Sequence, residues 1–186
     1  MLLIAIAIKI DSRGPVIYKN QRVGKGGEFF FVYKFRRMKR EFCTGPGYDN
    51  NGRAAEVERD LIAKQSHREG PLYKISNDPR STRMGRFLEK TSLDELPQFF
   101  NVVFGTMSLV GPRPHQPREV DLYKRDQKRV LAIKPGVTGL AQISGRSDLD
   151  FSEEVRLDTY YIENWAIRMD LAILLKTPFA LFKKHK

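Results

Sequence analysis

Residues 16–38 read Val-Ile-Tyr-Lys-Asn-Gln-Arg-Val-Gly-Lys-Gly-Gly-Glu-Phe-Phe-Phe-Val-Tyr-Lys-Phe-Arg-Arg-Met, and the fold class turns on them. Two runs rich in β-branched and aromatic residues, 16–23 and 29–38, flank Gly24-Lys25-Gly26-Gly27. That is the composition and spacing of a β-hairpin. The glycines serve the turn; no GxxxxGK[ST] string follows to make them a phosphate loop. On a continuous strand Lys34 and Arg36 point one way, and Arg37 and Lys39 the other.

Outward from the hairpin, helices and loops follow without β-α-β alternation. Residues 42–52 read as a loop and 53–68 as a helix with Ala55, Val57, Leu61 and Ile62 as its stripe. Asn77-Asp78-Pro79 turns the chain into a short helix over 81–90. Residues 117–133 read as one strongly charged helix closed by Lys134-Pro135-Gly136, and 151–165 as another, capped by Asp150 or Ser152. Residues 166–182 are the most apolar, interrupted by Arg168, Asp170, Lys176 and Pro178. They read as an amphipathic helix at an interface or in the core, broken at Thr177-Pro178. The expectation is an α+β fold with one β-hairpin, several amphipathic or interfacial helices and no Rossmann sheet.

The 186 residues suit one domain with a real core, expected over 16–186. Lys and Arg number 33 against 22 Asp and Glu, a net +11, which asks for an anionic partner: nucleic acid, anionic lipid or phosphorylated substrate. One cysteine, Cys43, excludes an internal disulfide, and His67, His115 and His185 lack zinc-ligand spacing. Met1–Ile8 is apolar, but eight helical residues cover roughly 12 Å, against about 30 Å for a bilayer core. It reads as a buried first turn or as the residual end, over 1–15, of a membrane-associated segment.

The chemistry concentrates in Thr91-Ser92-Leu93-Asp94-Glu95-Leu96-Pro97-Gln98. Ser92 and Glu95 match a capping box, which would give Glu95 a purely structural role. Pro97 fits better if the helix begins near Asp94. On either reading both carboxylates sit at a helix N-terminus, where the dipole favours their ionised forms and attracts phosphate. Adjacent acids facing phosphates need a cation, and Mg²⁺ prefers one or two carboxylates plus substrate phosphate. Basic residues surround the pair in sequence. Arg80, Arg83 and Arg86 would share a helical face, Arg113 lies in stiff Gly-Pro-Arg-Pro, and Arg146 follows Gly145. Arginine on constrained backbone beside an acid pair suggests a polyphosphate site.

These strings form an ordered set: Ile-Lys-Ile-Asp-Ser-Arg-Gly-Pro (8–15), Gln-Arg-Val-Gly (21–24), Lys-Phe-Arg-Arg-Met (34–38), Asn-Asp-Pro-Arg (77–80) and Gly-Arg-Phe-Leu (85–88). Thr-Ser-Leu-Asp-Glu-Leu-Pro-Gln (91–98), Met-Ser-Leu-Val-Gly-Pro-Arg-Pro (107–114), Lys-Pro-Gly-Val-Thr-Gly (134–139), Gln-Ile-Ser-Gly-Arg (142–146) and Leu-Asp-Thr-Tyr-Tyr-Ile-Glu-Asn-Trp (157–165) complete it. The set resembles the bacterial sugar transferases, the monotopic polyprenyl-phosphate phosphoglycosyl transferases. The resemblance implies a sugar-1-phosphate passed from a UDP-sugar to polyprenyl phosphate at the cytoplasmic face of the bacterial inner membrane, with release of UMP. It implies Asp94 as nucleophile, Glu95 as a Mg²⁺ ligand, and phosphate contacts from Arg83, Arg86, Arg113 and Arg146, with Lys34 and Gln142 as further contacts.

The chain departs from that pattern in three places. Arg37 stands where the family often has Ser, Thr106 stands where it often has Asp, and the family's membrane-dipping hairpin would precede Ile8, so the chain reads as N-terminally truncated. The competing reading is a basic nucleic-acid-binding domain, which explains the charge but not an acid pair among arginines; no nucleic acid is expected as partner. A membrane-surface scaffold without catalysis would also account for the charge, and a Mg²⁺ nuclease could be built on Asp94 and Glu95. The sugar carried, the oligomeric state and the glycan pathway are not encoded in these motifs.

Overall fold

The computed structural model describes residues 1–45, 47–48, 51–66, 70–73, 75, 77–145 and 148–182. The helices are α1 (Leu2–Asp11), α2 (Arg53–Gln65), α3 (Arg83–Thr91), α4 (Gln98–Val103), α5 (Pro117–Val120), α6 (Leu140–Ser144), α7 (Phe151–Glu163) and α8 (Ile167–Phe182). The strands are β1 (Ile17–Val23), β2 (Phe29–Phe35), β3 (Ser108–Val110) and β4 (Gly136–Thr138). β1 and β2 form the expected antiparallel hairpin, and β3 and β4 make a separate parallel pair with Ser108 opposite Gly136 and Val110 opposite Thr138. The fold is α+β with one hairpin and no Rossmann sheet among the described residues. The parallel pair, unforeseen in the sequence, is too short to change that class.

The hairpin turn is built by glycine. Gly26 and Gly27 have φ of 70° and 87°, a region closed to most side chains, and Gly24 N–H donates to Glu28 O at 2.8 Å. Two compact units divide the chain, the first comprising Met1–Asn20, Phe31–His67 and Tyr73–Gln98, the second Gln21–Phe30, Arg68–Leu72 and Phe99–Lys186.

The first unit packs Ile8 of α1, Phe35 of β2 and Leu88 of α3 into one cluster, joined by Ile4, Val16, Ile17, Met84, Leu93 and Leu96. Helix α3 starts at Thr82, whose hydroxyl accepts from Gly85 N–H at 3.0 Å, while the Asp11 carboxylate accepts from Met84 N–H at 3.0 Å. Arg36 is buried and ties the chain on both sides of β1 together. It donates to Pro15 O (2.6 Å), Ser12 Oγ (2.6 Å), Ser12 O (2.9 Å) and Met38 O (3.0 Å). Arg80 is likewise structural, forked onto Asp78 with Glu58 at 3.6 Å. It therefore does not share a solvent face with Arg83 and Arg86, because the helix begins only at Arg83.

The second unit has two clusters, one of Val23, Leu72, Val120, Tyr123, Val130 and Phe151, the other of Val110, Tyr161 and Ile173. Two sequence expectations need correction here. Residues 117–133 are not one helix: α5 ends at Val120 and a 3-10 stretch runs over Gln127–Ala132. The Gln127 side chain accepts from Lys124 N–H at 2.8 Å, a local bond that competes with a continuous helix. Helix α8 is not broken at Thr177-Pro178 but continues through Pro178. Proline's φ is helical, and the Thr177 hydroxyl anchors the turn by donating to Ile173 O and pairing with Thr138 Oγ1, both at 2.8 Å. No described helix is long and apolar enough to cross a membrane. Helix α7 is capped by Asp150, which accepts from Glu153 N–H at 2.8 Å.

Where α3 crosses the end of β2, a Cβ on Gly85 would fall 1.9 Å from Arg37 O. In an exposed helix interior Gly→Ala gains about 1 kcal/mol. Here Gly85→Ala is expected to lose about 1–3 kcal/mol through overpacking, read as a lower urea midpoint at unchanged m-value. A raised midpoint would mean that α3 is not clamped at this crossing.

Candidate active site

The acid pair lies in a 3-10 turn, Leu93–Glu95, between α3 and α4. Ser92 ends α3 with a left-handed φ of 55° and makes no side-chain cap on the turn. The capping box, one of the two readings of Ser92 and Glu95, therefore does not form. Leu93 and Leu96 both pack into the first unit's cluster, which fixes the turn between them. The carboxylates are held from strand β2 instead. Lys34 Nζ donates to Glu95 Oε1 at 2.6 Å and lies 3.9 Å from Asp94 Oδ2. Arg37 Nε lies 3.6 Å from the same Asp94 oxygen, and Arg37 Nη1 is 2.6 Å from Glu89 Oε1.

Asp94 is only 4% exposed. Burial pushes its carboxyl above the ordinary range, Lys34 and Arg37 oppose that, and Glu95 and Glu89 add to it. The expected placement of the pair at a helix N-terminus, with the dipole favouring the ionised forms, is thus corrected: the pair sits on a single 3-10 turn, and burial opposed by two cations acts on Asp94.

The structure brings Lys34, Asp94 and Glu95 together. Arg83 and Arg86 are exposed on α3, with Arg86 Nη1 donating to Ser81 O at 3.0 Å. Arg113 and Gln142 belong to the second unit. Arg113 is half-buried and its backbone N–H donates to the buried Asp158 carboxyl. Gln142 Nε2 donates to Val137 O at 3.2 Å, while its Oε1 is buried without a hydrogen-bond partner among the described residues. Arg146 lies outside the described residues. Thr106 closes a turn with Asn101, its hydroxyl donating to Asn101 O at 3.2 Å. The residue that sequence reasoning missed is Arg37, which strand alternation would point away from Lys34. Strand β2 ends at Phe35, so the alternation no longer holds at Arg37 and both cations reach Asp94.

A family model described as bacterial sugar transferase matches residues 1–184. The chain belongs to the bacterial sugar transferase family. It is 45% identical over 165 residues to galactosyl transferase CpsE of Streptococcus agalactiae, covering 88% of this chain and 34% of that protein. To the undecaprenyl-phosphate galactose phosphotransferase of Salmonella typhimurium it is 44% identical over 174 residues, covering 92% and 34%. To the exopolysaccharide production protein ExoY of Rhizobium meliloti it is 40% identical over 177 residues, covering 95% and 74%. The chain thus spans about a third of the length of the first two relatives. The Asp-Glu turn described above lies inside the range that the family model matches.

The Asp94 geometry has a direct consequence in solution. Its ionisation midpoint, followed by carboxyl carbon NMR, is expected above the model-peptide value of about 3.9. Lys34→Met removes one of the two cations that lower it, so the midpoint should rise further. A midpoint at or below the ordinary value in both proteins would contradict the burial described here.

Proposed function

We propose that this chain transfers a sugar-1-phosphate from a UDP-sugar to polyprenyl phosphate, at the cytoplasmic face of the bacterial inner membrane. The observation that carries the reading is the buried Asp94 beside Glu95, flanked by Lys34 and Arg37, in a chain of this family. The name of the Salmonella relative, an undecaprenyl-phosphate galactose phosphotransferase, supports it.

The Asp94 carboxylate attacks the sugar-linked phosphorus, the bond to the UMP phosphate breaks, and the electron pair leaves on UMP. An oxygen of polyprenyl phosphate then attacks the same phosphorus, and the aspartyl oxygen–phosphorus bond breaks to regenerate the carboxylate. Only P–O bonds change, so the anomeric configuration of the sugar is retained. Lys34 offsets part of the effect of burial on the Asp94 carboxyl and orients Glu95 through the 2.6 Å bond. Arg83, Arg86, Arg113, Gln142 and Arg146 are phosphate contacts on the resemblance alone.

The donor chemistry fits Mg²⁺. Among the described residues no group of three or more His, Cys, Asp or Glu side chains could hold a metal. A cation at the pair would therefore take Glu95 together with substrate phosphate oxygens, the ligand set Mg²⁺ prefers. When bound, it supplies charge neutralisation on the diphosphate and the leaving group.

Membrane contact is part of the same reading. Helix α1 exposes Leu2, Leu3, Ile6 and Ile10, and α8 exposes Ile167, Leu171, Leu175 and Phe179, the last 76% exposed. Lys183, Lys184 and Lys186, which lie outside the described residues, would add about 1 kcal/mol each at an anionic leaflet. Binding to anionic liposomes is expected to be weak and to fall as salt is raised. Binding unaffected by high salt would assign it to apolar insertion instead.

The two acids should fail differently. Intact-mass measurement with a UDP-sugar is expected to find a phosphosugar adduct and UMP release for the wild type, and no adduct for Asp94→Asn at any Mg²⁺ concentration. Glu95→Gln keeps the nucleophile, so its residual turnover should climb as Mg²⁺ is raised. An adduct persisting in Asp94→Asn would reject Asp94 as nucleophile, and a normal Mg²⁺ response in Glu95→Gln would remove Glu95 from the metal.

A further inference from the structure

Arg37 is fixed at both its backbone and its tip. Its carbonyl accepts from Thr82 N–H at 2.9 Å and from the Thr82 hydroxyl at 3.3 Å, and Gly85 packs against it without room for a Cβ. Its Nη1 is held by Glu89 at 2.6 Å, while its Nε faces Asp94 Oδ2 at 3.6 Å. That distance is too long for a good N–H···O bond and short enough for charge attraction. Lys34, the other cation here, makes its close bond to Glu95. The guanidinium is therefore aimed at the reacting oxygen without being bonded to it.

We propose that Arg37 is a phosphoryl-contacting residue, its guanidinium hydrogen-bonding the non-bridging oxygens of the phosphorus that becomes bonded to Asp94. The inference rests on the transferase reading above. In this proposal Oδ2 is the attacking oxygen, so the phosphorus it bonds and that phosphorus's oxygens come one and two bonds beyond the atom that Arg37 faces. When Asp94 forms its bond to phosphorus and UMP departs with the electron pair, the carboxylate loses its negative charge. The non-bridging oxygens of this phosphorus carry one negative charge before and after the step, so the positive fork keeps an anionic partner throughout. When polyprenyl phosphate attacks and the aspartyl bond breaks, the charge returns to the carboxylate. A planar guanidinium suits two phosphoryl oxygens as a lysine ammonium does not. Donors fixed in advance where charge gathers typically contribute about 10²–10³-fold. Glu89, bonded to the far side of the guanidinium, is the positioning residue.

The test uses the full chain with UDP-galactose and with UDP-glucose as probes, with Mg²⁺, reading adduct formation by rapid-quench intact mass and UMP release over a donor series. Arg37→Ser is expected to slow adduct formation about 100-fold, with the donor KM changing much less, and Arg37→Lys to restore only part of the loss. The double variant Arg37→Ser/Glu89→Gln separates the proposal from a structural role. If Arg37 only neutralises Glu89, removing both charges restores the rate; a phosphoryl contact leaves the double variant as slow as Arg37→Ser. Thermal melting accompanies each variant, and if Arg37→Ser does not fold, Arg37→Lys decides. A folded Arg37→Lys at the wild-type rate, a wild-type rate in folded Arg37→Ser, or recovery in the double variant would each overturn the proposal while leaving the transferase reading intact. No adduct and no UMP from the wild type with either donor would overturn both.

Discussion

A carboxylate taken almost wholly out of water must be met by positive charge or give up its own, and the arrangement around Asp94 follows from that constraint. The cost of an unpaired buried charge runs to several kcal/mol, more than any single local preference in the turn can supply. Strand β2 and the residues just beyond it meet the requirement with Lys34 and Arg37. Each cation makes its short bond to a different carboxylate, Glu95 for one and Glu89 for the other. Asp94 is left with charge on two sides and neither close bond, an arrangement in keeping with the nucleophilic role proposed for it.

Positioning those cations is what the first unit's scaffold accomplishes. Arg36, between them in sequence, turns inward and binds backbone carbonyls at Ser12, Pro15 and Met38. The Arg37 carbonyl is caught by Thr82 at the start of α3, and Leu88 of that helix is 0% exposed against Phe35 and Ile8. The same helix ends at Ser92 and delivers the Asp-Glu turn. One helix thus locks the strand end at its first turn and presents the acids after its last. A change at Gly85 would therefore reach the surroundings of Asp94 through the backbone of Arg37 without touching either acid.

The sequence made the hairpin legible because two signals agreed there, β-rich runs and glycines with room for positive φ. The acid pair was legible by composition and by motif, but its local conformation was not. Ser92-x-x-Glu95 satisfies the capping-box pattern, yet Leu93 and Leu96 both have to reach the Ile8–Phe35–Leu88 cluster, and a tight turn after a left-handed Ser92 allows it. That decision is tertiary and leaves no mark in a four-residue pattern. The parallel pair β3–β4 escaped notice for another reason: three-residue strands carry no usable period. What betrays it in space is glycine, since a Cβ on Gly136 would meet Gly111 N at 2.1 Å. Arg37 was misplaced by extending strand alternation two residues past the true end of β2.

The charge excess also reads differently once burial is known. Arg36 and Arg80 are buried and fully engaged, one by carbonyls and the other by Asp78 and Glu58, so these two cations serve the fold. Arg83 and Arg86 remain exposed, in the same unit as the acid pair. In the second unit a different device fixes the Gly-Pro-Arg-Pro segment. Asp158, 2% exposed, accepts from the backbone N–H of Arg113 and of Ala141, while burial and the neighbouring Glu154 push its carboxyl well up. His115, two residues beyond Arg113, is buried against Glu154 at 3.2 Å and against the Tyr123 hydroxyl. The two prolines restrict the segment's dihedrals, but a restricted segment still needs an attachment, and buried acids of α7 supply one at Arg113 and one at His115. Arginine in this chain therefore divides by burial rather than by motif. Where the guanidinium is enclosed it is structural, and only where its backbone is anchored and its tip left near solvent is it available to an anion.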